Sequence, residues 1–415
     1  MSVGRKWIKM LSIGIDTHQA MHQVDIRNQD EKVMWRGQVQ NNRNGFNNLL
    51  EKIHTIERSN NDHTIGVFIN PTGTYHVPLQ YFLESNGYRI IYVDPRVTDF
   101  ARKMENLGKE KSDKVDSAML ASAPWKDKKV LKKKPHIRDP LSELTRLLEI
   151  IKKNTTRITN VITSDLAAIF PEFTVLFPDI TSKTSLVMLE KFPTPKDVVD
   201  SGLESVLAVM QNASRHHFKR EHAEKLLTIA TDSVGVPDDT GAYAFRIREN
   251  VKRLNYEFST MKEVEERILK ETQDNEDVKR IDDMKGIGPV NAASMVSEIG
   301  DIKQFDSALK LQSYGGKAPM MTGSGGKSHA NGLSRIRNPH LSNAAYEAAV
   351  SLVANRNEEF LKIFETETAK GKERTQAYIV VARRFLYHVY TILKNKKPYR
   401  QRIPTEREGV SSSGT

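Results

Sequence analysis

The N-terminal part of the chain alternates short apolar runs with amphipathic stretches, which predicts alternating strands and helices. The runs LSIGID (Leu11–Asp16), TIGVFI (Thr64–Ile69) and RIIYVDP are typical of buried strands, and MHQVDIRN and KVMWRGQVQ show the partial alternation of two more strands. Helices are predicted over FNNLLEKIHTI, over YHVPLQYFLESNG up to Gly87, and around Lys111–Ala121, where Pro124 should end the helix.

The predicted order of elements is three strands, helix, strand, helix, strand, helix. This is the order of an RNase H-like (RuvC-type) α/β domain. The basic cluster KDKKVLKKKP (Lys126–Pro135) marks the end of this pattern. We therefore expect the first domain to span residues 1–135.

Two apolar stripes with helical spacing lie within residues 136–278, which we expect to form a helical stalk. They consist of Leu144, Leu148, Ile151, Ile158 and Ile162, and of Ile247, Val251, Leu254, Phe258 and Met261. These stripes predict two helices that pair as an antiparallel coiled coil or pair with another subunit. Several prolines interrupt the stretch between the stripes, so it is not one continuous helix.

The pattern over residues 279–400 predicts a mainly α C-terminal domain, apart from a Gly-rich loop at Tyr314–Gly332. Its segment DDMKGIGPVNAASMVSEIG is typical of a helix-hairpin-helix. Gly286 and Gly288 would let backbone amides approach a phosphate, and Lys285 adds a cation. A helix–helix turn that only packs would use the same glycines. Residues 401–415 are polar, and we expect a disordered tail.

Composition narrows the classes of function. The 415 residues carry a formal net charge of +11, which favours a polyanionic partner such as nucleic acid. The absence of Cys excludes disulfides and Cys-based zinc sites. No apolar run is long enough to cross a bilayer, and the start MSVGRKWIKM lacks the apolar segment of a secretory signal. We expect a cytoplasmic protein with no membrane partner.

Three aspartates of the first domain are candidate catalytic metal ligands. Asp16 ends the strand that is central in an RNase H-like sheet, and Asp113 and Asp116 share one face of a helix. Carboxylates gathered from separate elements suit Mg²⁺, and two such ions can stabilise the attacking and leaving oxygens of a phosphodiester. Spacing alone favours a turn-capping Asp16 and two solvated aspartates over a metal site. The order of strands and helices favours the metal site.

A serine in the Gly-rich segment is the candidate nucleophile. Ser324 lies between Gly323 and Gly325, and cations around it would stabilise the anionic transition state of attack on a phosphate. A serine nucleophile also needs a base or a metal that accepts its proton. The alternative is a linker serine without a catalytic role. The surrounding cationic candidates are Lys317, Lys327, His329, Arg335 and Arg337.

Six stretches, which together span most of the chain, follow one another in a characteristic order. They are IGIDTHQ, PTGTYH…FLESNGYRIIYVDP, KSDKVDSAMLA, GIGPVNAASMVSEIGDIKQF, SYGGKAP…GSGG and GKERTQAYIVVARRFLYHVYTILKN. In this order they resemble the IS110 family of insertion-sequence transposases, which are relatives of the Piv-type DNA invertases.

The resemblance implies a RuvC-like domain with an Asp-Glu-Asp-Asp metal site, and a C-terminal domain that supplies a nucleophilic serine, here Ser324. The first, third and fourth acids of the family map to Asp16, Asp113 and Asp116. The implied partners are donor DNA, target DNA and a structured non-coding bridge RNA whose loops pair with both. The implied assembly is a homo-oligomer, a dimer or tetramer, in which different subunits supply the two halves of one site.

The second acid of the family pattern is replaced in this sequence. The family has Glu before a small residue and Thr-Gly, whereas this chain has Asn70 followed by Pro71, Thr72 and Gly73. Asparagine offers a neutral carbonyl oxygen without negative charge, so a metal should bind more weakly. The substitution puts the activity of the site in question.

Three functions stay open on the sequence. The first is an RNA-guided recombinase that uses Ser324 and a Mg²⁺ site. The second is a metal-dependent nuclease of the junction-resolving kind, in which water attacks and no covalent intermediate forms. The third is a catalytically decayed RNA- and DNA-binding protein, which Asn70 favours. A covalent protein–DNA adduct separates the first two, and a metal titration tests the third.

Overall fold

The computed structural model describes residues 10–60, 64–70, 74–93, 113–126, 140–324, 327–333 and 337–399. The chain divides into two compact units, Met1–Arg138 and Asp139–Thr415. The finer division of residues 136–400 into a stalk and a C-terminal domain stays a prediction. The predicted tail over residues 401–415 lies outside the described residues.

A mixed five-stranded sheet with strand order β3-β2-β1-β4-β5 forms the centre of the first unit. β1 is the middle strand and pairs antiparallel with β2 and parallel with β4. The pairs β2–β3 and β4–β5 are antiparallel and parallel, respectively. This topology is compatible with the predicted RNase H-like fold. The elements are β1 (Leu11–Asp16), β2 (Met21–Arg27), β3 (Val33–Gln40), α1 (Arg43–Asn60), β4 (Ile65–Ile69), α2 (Val77–Ser85), β5 (Arg89–Tyr92) and α3 (Asp113–Lys126).

Alternation along β1 assigns its two faces to different layers. Leu11, Ile13 and Ile15 join a core with apolar side chains of α1 and α2, and the residues between them face the other layer. That second layer contains a small core in which Phe68 of β4 and Leu120 of α3 take part. β1 is therefore buried on both faces, with large apolar residues towards one layer and the small residues Ser12 and Gly14 towards the other.

The end of α3 differs from its prediction. Pro124 lies inside the helix, which continues to Lys126, so the prediction that this proline ends the helix is wrong. A proline lacks the amide that would donate to the carbonyl four residues earlier. Near a C-terminal end this removes one hydrogen bond of the last turn, and the helix closes two residues later.

Two long helices, α4 (Leu141–Ile169) and α9 (Ala242–Thr272), pack against each other in the second unit. Leu148 near the start of α4 shares a core with Ile268 near the end of α9. Ile162, further along α4, shares a different core with Ile247 at the start of α9. The two helices are therefore antiparallel, and the apolar stripes of the sequence lie at their contact.

A group of shorter helices connects the two long ones. Their starts carry recognisable signals: Thr194 and Asp197 form a reciprocal capping box, with Pro195 in the first turn. The prolines of this stretch therefore separate helices, as predicted. The helices are α5 (Phe173–Leu176), α6 (Lys183–Lys191), α7 (Pro195–Ser214) and α8 (Arg220–Thr231).

The remainder of the second unit is helical with one small sheet. Its core includes side chains from the start of α4 and the end of α9, which form one end of the long helix pair, so this end packs with the C-terminal helices. In the part of the chain that the structure describes, no helix combines the length and apolar character that a membrane span requires. The elements are α10 (Glu276–Asp282), α11 (Pro289–Ile299), a 3₁₀ turn (Ile302–Gln304), α12 (Ala308–Tyr314), β6 (Pro319–Ser324), β7 (Lys327–Leu333), α13 (Pro339–Ala354), α14 (Glu358–Ala369) and α15 (Arg374–Asn395).

The prediction of a Gly-rich loop over Tyr314–Gly332 is wrong for most of its length. β6 and β7 form an antiparallel pair in which Ser324 is the partner of Lys327. Gly325 and Gly326 separate these partners in sequence, and a glycine pair is a strong signal for a two-residue hairpin connection. A glycine within each strand, Gly323 and Gly332, obscured this signal.

Candidate active site

The helix that carries Asp113 and Asp116 lies directly against β1 because Gly14 has no side chain. A Cβ atom at Gly14 would overlap the backbone nitrogen of Ala121 and the carbonyl oxygen of Ser117. The Ser12 hydroxyl donates a hydrogen bond of 2.6 Å to the Ala121 carbonyl and fixes the same contact. Asp16 has the same orientation in the strand as Gly14, so it lies on the face that α3 covers.

A cluster of potential metal ligands forms where β1 ends and α3 begins. Ligand atoms of Asp16, His18 and Asp113 all lie within 4.8 Å of one another. The His18 Nε2 atom lies 3.1 Å from Asp16 Oδ2 and 3.3 Å from Asp113 Oδ2. The Asp16 side chain is 14% exposed and the Asp113 side chain 62% exposed, so the site opens to solvent through the helix end.

Asp116 stands beside this cluster in the first turn of α3 and is half-buried. Burial raises the pKa of Asp16, and the negative charges of Asp116 and Asp113 raise it further. His18 acts in the opposite direction on that pKa, through its charge and its hydrogen bond. The crowding of carboxylates raises the cost of ionising Asp16, and a bound cation would lower that cost.

Asn70 follows β4 at the same edge of the sheet. β4 is parallel to β1, and Ile69 is paired with Ile15, so Asn70 is next in register beside Asp16. Phe68, two residues earlier, packs with Leu120 of α3. Alternation therefore places half-buried Asn70 on the face shared with Asp16.

His18 is a site residue that the sequence reasoning missed. It lies two residues beyond Asp16 in the stretch IGIDTHQ. A carboxylate and an imidazole that follow each other closely at the end of a buried strand form a common ligand pair, and that signal was present. The donor set fits a divalent cation: the carboxylates suit Mg²⁺, and the imidazole nitrogen adds a ligand that Mn²⁺ or Zn²⁺ accepts more readily.

Ser324, the candidate nucleophile, belongs to the second unit, where it is the last residue of β6. Its cross-strand partner is Lys327, and His329 lies further along β7 opposite Thr322. The hairpin thus brings the candidate nucleophile and one candidate cation together at the backbone level. Arg335, another predicted cation, lies outside the described residues.

A hydrogen-bonded network secures the base of this hairpin. Glu298 of α11 is buried and accepts two bonds from the Arg146 guanidinium of α4, at 2.6 and 3.0 Å. It also accepts a bond of 2.8 Å from the side-chain amide of Asn338, which donates to the Tyr314 hydroxyl at 3.0 Å as well. Tyr314 and Asn338 flank the hairpin, so this network connects both of its ends to the long helix pair.

Two further predicted cations lie beside the hairpin base. Lys317 is 5% exposed and its Nζ lies 5.6 Å from the centre of the Tyr346 ring. Burial, followed by the charge of Arg337, lowers the pKa of Lys317 to about 8. Arg337 is exposed, and its side chain lies against Gly316. Arg337 is therefore accessible to an anionic ligand, whereas Lys317 packs inward on an aromatic ring.

In the predicted helix-hairpin-helix, α10 and α11 flank the turn that contains Gly286 and Gly288, and these two glycines have different surroundings. Gly286 has φ +98, and its carbonyl accepts a bond of 2.6 Å from the Ser351 hydroxyl of α13. The Lys285 carbonyl accepts a bond of 3.0 Å from the Asn357 amide. A Cβ atom at Gly288 would meet nothing within 4 Å. One side of the turn is therefore packed, and the side at the start of α11 is open.

Two protein-family models match this chain, one over the region of the acid cluster and one over the region of the serine hairpin. A model described as a DEDD transposase of IS110 matches residues 13–171, and a model described as the IS116/IS110/IS902 transposase family matches residues 278–365. The chain belongs to the IS110 family of transposases. The first match contains the acid cluster and Asn70, and the second contains the helix-hairpin-helix and Ser324.

Individual relatives agree with this membership. The mini-circle transposase named for IS117 from Streptomyces coelicolor is 23% identical over 360 residues, which cover 82% of this chain and 84% of the relative. An IS116 protein from Streptomyces clavuligerus is 22% identical over 396 residues, 93% of this chain and 95% of the relative. A pilin gene-inverting protein from Moraxella bovis is 30% identical over 119 residues, 28% of this chain and 37% of the relative. The resemblance stated from the sequence is thereby confirmed.

Proposed function

We propose that this IS110-family transposase is an RNA-guided DNA recombinase in which Ser324 attacks a DNA phosphate at the acid cluster. The observation that carries the proposal is the meeting of Asp16, His18 and Asp113 at the edge of the sheet. Two carboxylates held this close repel each other, and a cation bound between them would relieve that repulsion. The family membership supplies the reaction class, which is DNA transposition.

Mg²⁺ is the proposed cofactor, held by Asp16 and Asp113, with Asp116 and Asn70 beside them. When bound, such an ion polarises a phosphate oxygen and lowers the pKa of a nearby hydroxyl. The protein contributes a rigid carboxylate pair whose mutual repulsion favours a cation. His18 contacts both carboxylates and would orient them or act as a further ligand.

In the proposed reaction the Ser324 oxygen forms a bond to phosphorus while the bond from phosphorus to one strand end breaks. The proton that the serine hydroxyl loses is available for the oxygen of the departing strand. A hydroxyl of the second DNA then attacks the serine–phosphate ester and releases Ser324 unchanged. The energy of the phosphodiester bond is conserved, as recombination without added nucleotide requires.

The proposed partners are donor DNA, target DNA and a structured non-coding guide RNA. The net charge of +11 favours phosphate binding, and the open side of the Gly288 turn offers backbone amides at a helix N-terminus. Asp16 and Ser324 belong to separate compact units. Ser324 must therefore reach the acids either by folding of the same chain or, as the family resemblance implies, from another subunit of a homo-oligomer, a dimer or tetramer.

The proposal is tested by expressing the chain together with its flanking non-coding DNA and sequencing the RNA that co-purifies. One structured RNA species is expected, and random cellular RNA would remove the support for a guide. Strand exchange between donor and target DNA is then measured for the parent and for Ser324→Ala. The variant should keep RNA and DNA binding and lose exchange, in both the parent and the Asn70→Glu background.

A second function is favoured by one specific observation. Asn70 occupies the position next to Asp16 where the family pattern has Glu, so the site has one negative charge fewer. A decayed protein that binds RNA and DNA without recombining them would carry such a change. In that case Asn70→Glu should restore metal binding and strand exchange together, and the parent should show neither.

A further inference from the structure

A polar groove runs along α15 in the second unit. Two neighbouring cavities of about 530 and 490 Å³ form it, and Arg384 and Tyr387 line both. The first cavity lies between α14 and α15, and the second continues towards Lys397 and Tyr399. The lining residues run from Val380 to Asn395, so the groove follows about four turns of α15.

The charges of the groove favour an anionic ligand. Its carboxylates are already neutralised: Glu359 by Arg384 and His388, and Glu367 by Lys370 and Lys372. Lys362 is exposed and Arg383 half-buried, and both line the first cavity. Within the described residues, no carboxylate lies within 4.0 Å of the side-chain nitrogens of these two cations. They are available to phosphates.

An aromatic ring lies between the two cavities. Tyr387 is 42% exposed, so part of its ring is accessible to a ligand. The Arg384 guanidinium lies 5.2 Å from the centre of the ring and covers part of it. The free part of the ring offers a flat surface that lines the groove.

A buried carboxylate on α14 fixes the position of Arg384. The buried Glu359 carboxylate accepts bonds of 2.8 Å from Arg384 Nε, 2.8 Å from His388 Nε2 and 2.7 Å from the Tyr399 hydroxyl. These donors hold the pKa of Glu359 at about 2, against the effect of burial. A preformed ring and guanidinium lose little conformational freedom on binding, which favours a ligand-binding role.

We propose that this groove binds a single-stranded segment of nucleic acid, with a base stacked on Tyr387 and phosphates at Lys362 and Arg383. Exposed aromatic rings interleaved with unpaired cations are the recognition chemistry of single strands, whose bases are free to stack. A duplex buries its bases and could use only the cations. Arg383 and Tyr387 belong to the stretch ARRFLYHVY, which the acid and serine sites leave without a role, and Lys362 faces them from α14. The inference rests on the proposed function, because it assumes a nucleic-acid partner.

The test measures binding of fluorescent 12-nucleotide oligothymidine, 12-nucleotide oligouridine and a 12-base-pair duplex to the full chain. Tyr387→Ala should weaken single-strand binding about fivefold or more, because stacking on an aromatic ring contributes about 1 to 3 kcal/mol per base. Tyr387→Phe should bind like the parent. The matched control is Tyr256→Ala, which removes a ring that is 69% exposed on α9 of the same unit.

Salt dependence tests the cations separately. The double variant Lys362→Gln and Arg383→Gln should reduce the slope of log K against log salt by about 1.4 for single strands, since each phosphate contact contributes about 0.7. Oligodeoxyuridine of the same length differs from oligouridine only by the 2′-hydroxyl, so the preference between these two identifies DNA or RNA as the source of the strand. Circular dichroism verifies that each variant is folded.

The outcomes separate this inference from the proposed function. If the parent binds neither single strands nor duplex, the proposed function fails. If the parent binds single strands and Tyr387→Ala behaves like Tyr256→Ala, the groove is not the single-strand site and only this inference is overturned. An equal loss of duplex and single-strand binding on Tyr387→Ala would also contradict it, because a stacked base is absent from the duplex.

Discussion

The acid cluster and the serine hairpin carry the proposed chemistry, but the protein supports them differently. Asp16 ends a strand that is buried on both faces in the middle of a five-stranded sheet. Ser324 ends one strand of a two-stranded sheet, an arrangement with little stability of its own. The hairpin depends instead on the network at its base, in which Arg146 and Glu298 take part.

This difference indicates how the two regions contribute to a reaction. The acids are held in advance by the core beneath them, as a metal site requires. The position of the serine depends on contacts that connect the hairpin to the long helix pair. Substitutions in the core that packs against Asp16 should therefore affect folding and metal binding together. Substitutions in the network at the hairpin base should affect strand exchange more than nucleic-acid binding.

The largest effect is expected from Gly14→Ala, which would force α3 away from β1. Overlap with the backbone at Ser117 and Ala121 should lower the free energy of unfolding by about 3 kcal/mol or more, and abolish metal binding. All three tryptophans lie in the first unit, at positions 7, 35 and 125, so tryptophan fluorescence in urea reports on it. Ser12→Ala is the control and should cost about 1 kcal/mol. A Gly14→Ala protein as stable as the parent would refute the close-approach argument.

The next effect concerns the hairpin base. Arg146→Ala leaves the Glu298 carboxylate buried without its bidentate partner, which should cost about 2 to 3 kcal/mol because Arg146 is partly exposed. Urea unfolding followed by circular dichroism measures the loss in the helical second unit. Strand exchange should fall more than RNA binding. Arg157→Ala, an exposed position on the same helix, should leave both unchanged; equal losses in the two variants would exclude a specific role of the network.

A smaller effect is expected from Asn70→Glu. The added carboxylate beside Asp16 should tighten Mg²⁺ and Mn²⁺ binding about tenfold, or about 1.4 kcal/mol, measured by calorimetry on the metal-free protein. Asn48→Glu adds the same charge at an exposed position of α1 and serves as the control. Unchanged binding in Asn70→Glu would mean that Asn70 does not face the site.

The smallest effect concerns the pH dependence of stability without metal. Because burial raises the pKa of Asp16 in the folded state, the folded protein binds this proton more tightly than the unfolded chain. The ionisation of Asp16 therefore lowers stability as pH rises, and the loss is complete above the raised pKa. Asp16→Asn should be more stable than the parent at neutral pH, with a difference that disappears in acid. If Asp16→Asn is less stable than the parent at pH 7, the stabilisation of the Asp16 carboxylate by His18 exceeds the cost of burying its charge.

Much of the first unit could be predicted because its hydrophobic pattern has the period of its strands. The predicted run Leu11–Asp16 coincides with β1, and the element order corresponds to the observed sheet. Asp16 and Asp113 were found because they lie at ends of such elements. The distance between Asp16 and Asp113 was not predictable. It depends on the close contact of Gly14 with α3, and a sequence pattern does not show which elements are in contact.

Other features lie beyond what local pattern can reveal. His18 gains its place only because α3 brings Asp113 to it from about a hundred residues away in sequence. The hairpin was hidden because glycine disfavours strands in isolation, although a glycine pair connects them well. The groove on α15 combines residues of three helices with Tyr399, which follows α15, and only the tertiary fold brings them together.

The most direct test of the central claim asks whether DNA becomes covalently joined to Ser324. The Asn70→Glu protein, with its co-purified RNA and Mg²⁺, is incubated with end-labelled donor DNA, denatured in detergent and separated by electrophoresis. The account predicts a labelled protein band whose DNA-bearing peptide contains Ser324, present in Ser328→Ala and absent in Ser324→Ala. Cleaved DNA without any covalent band, or the same products from Ser324→Ala, would contradict it and identify water as the nucleophile.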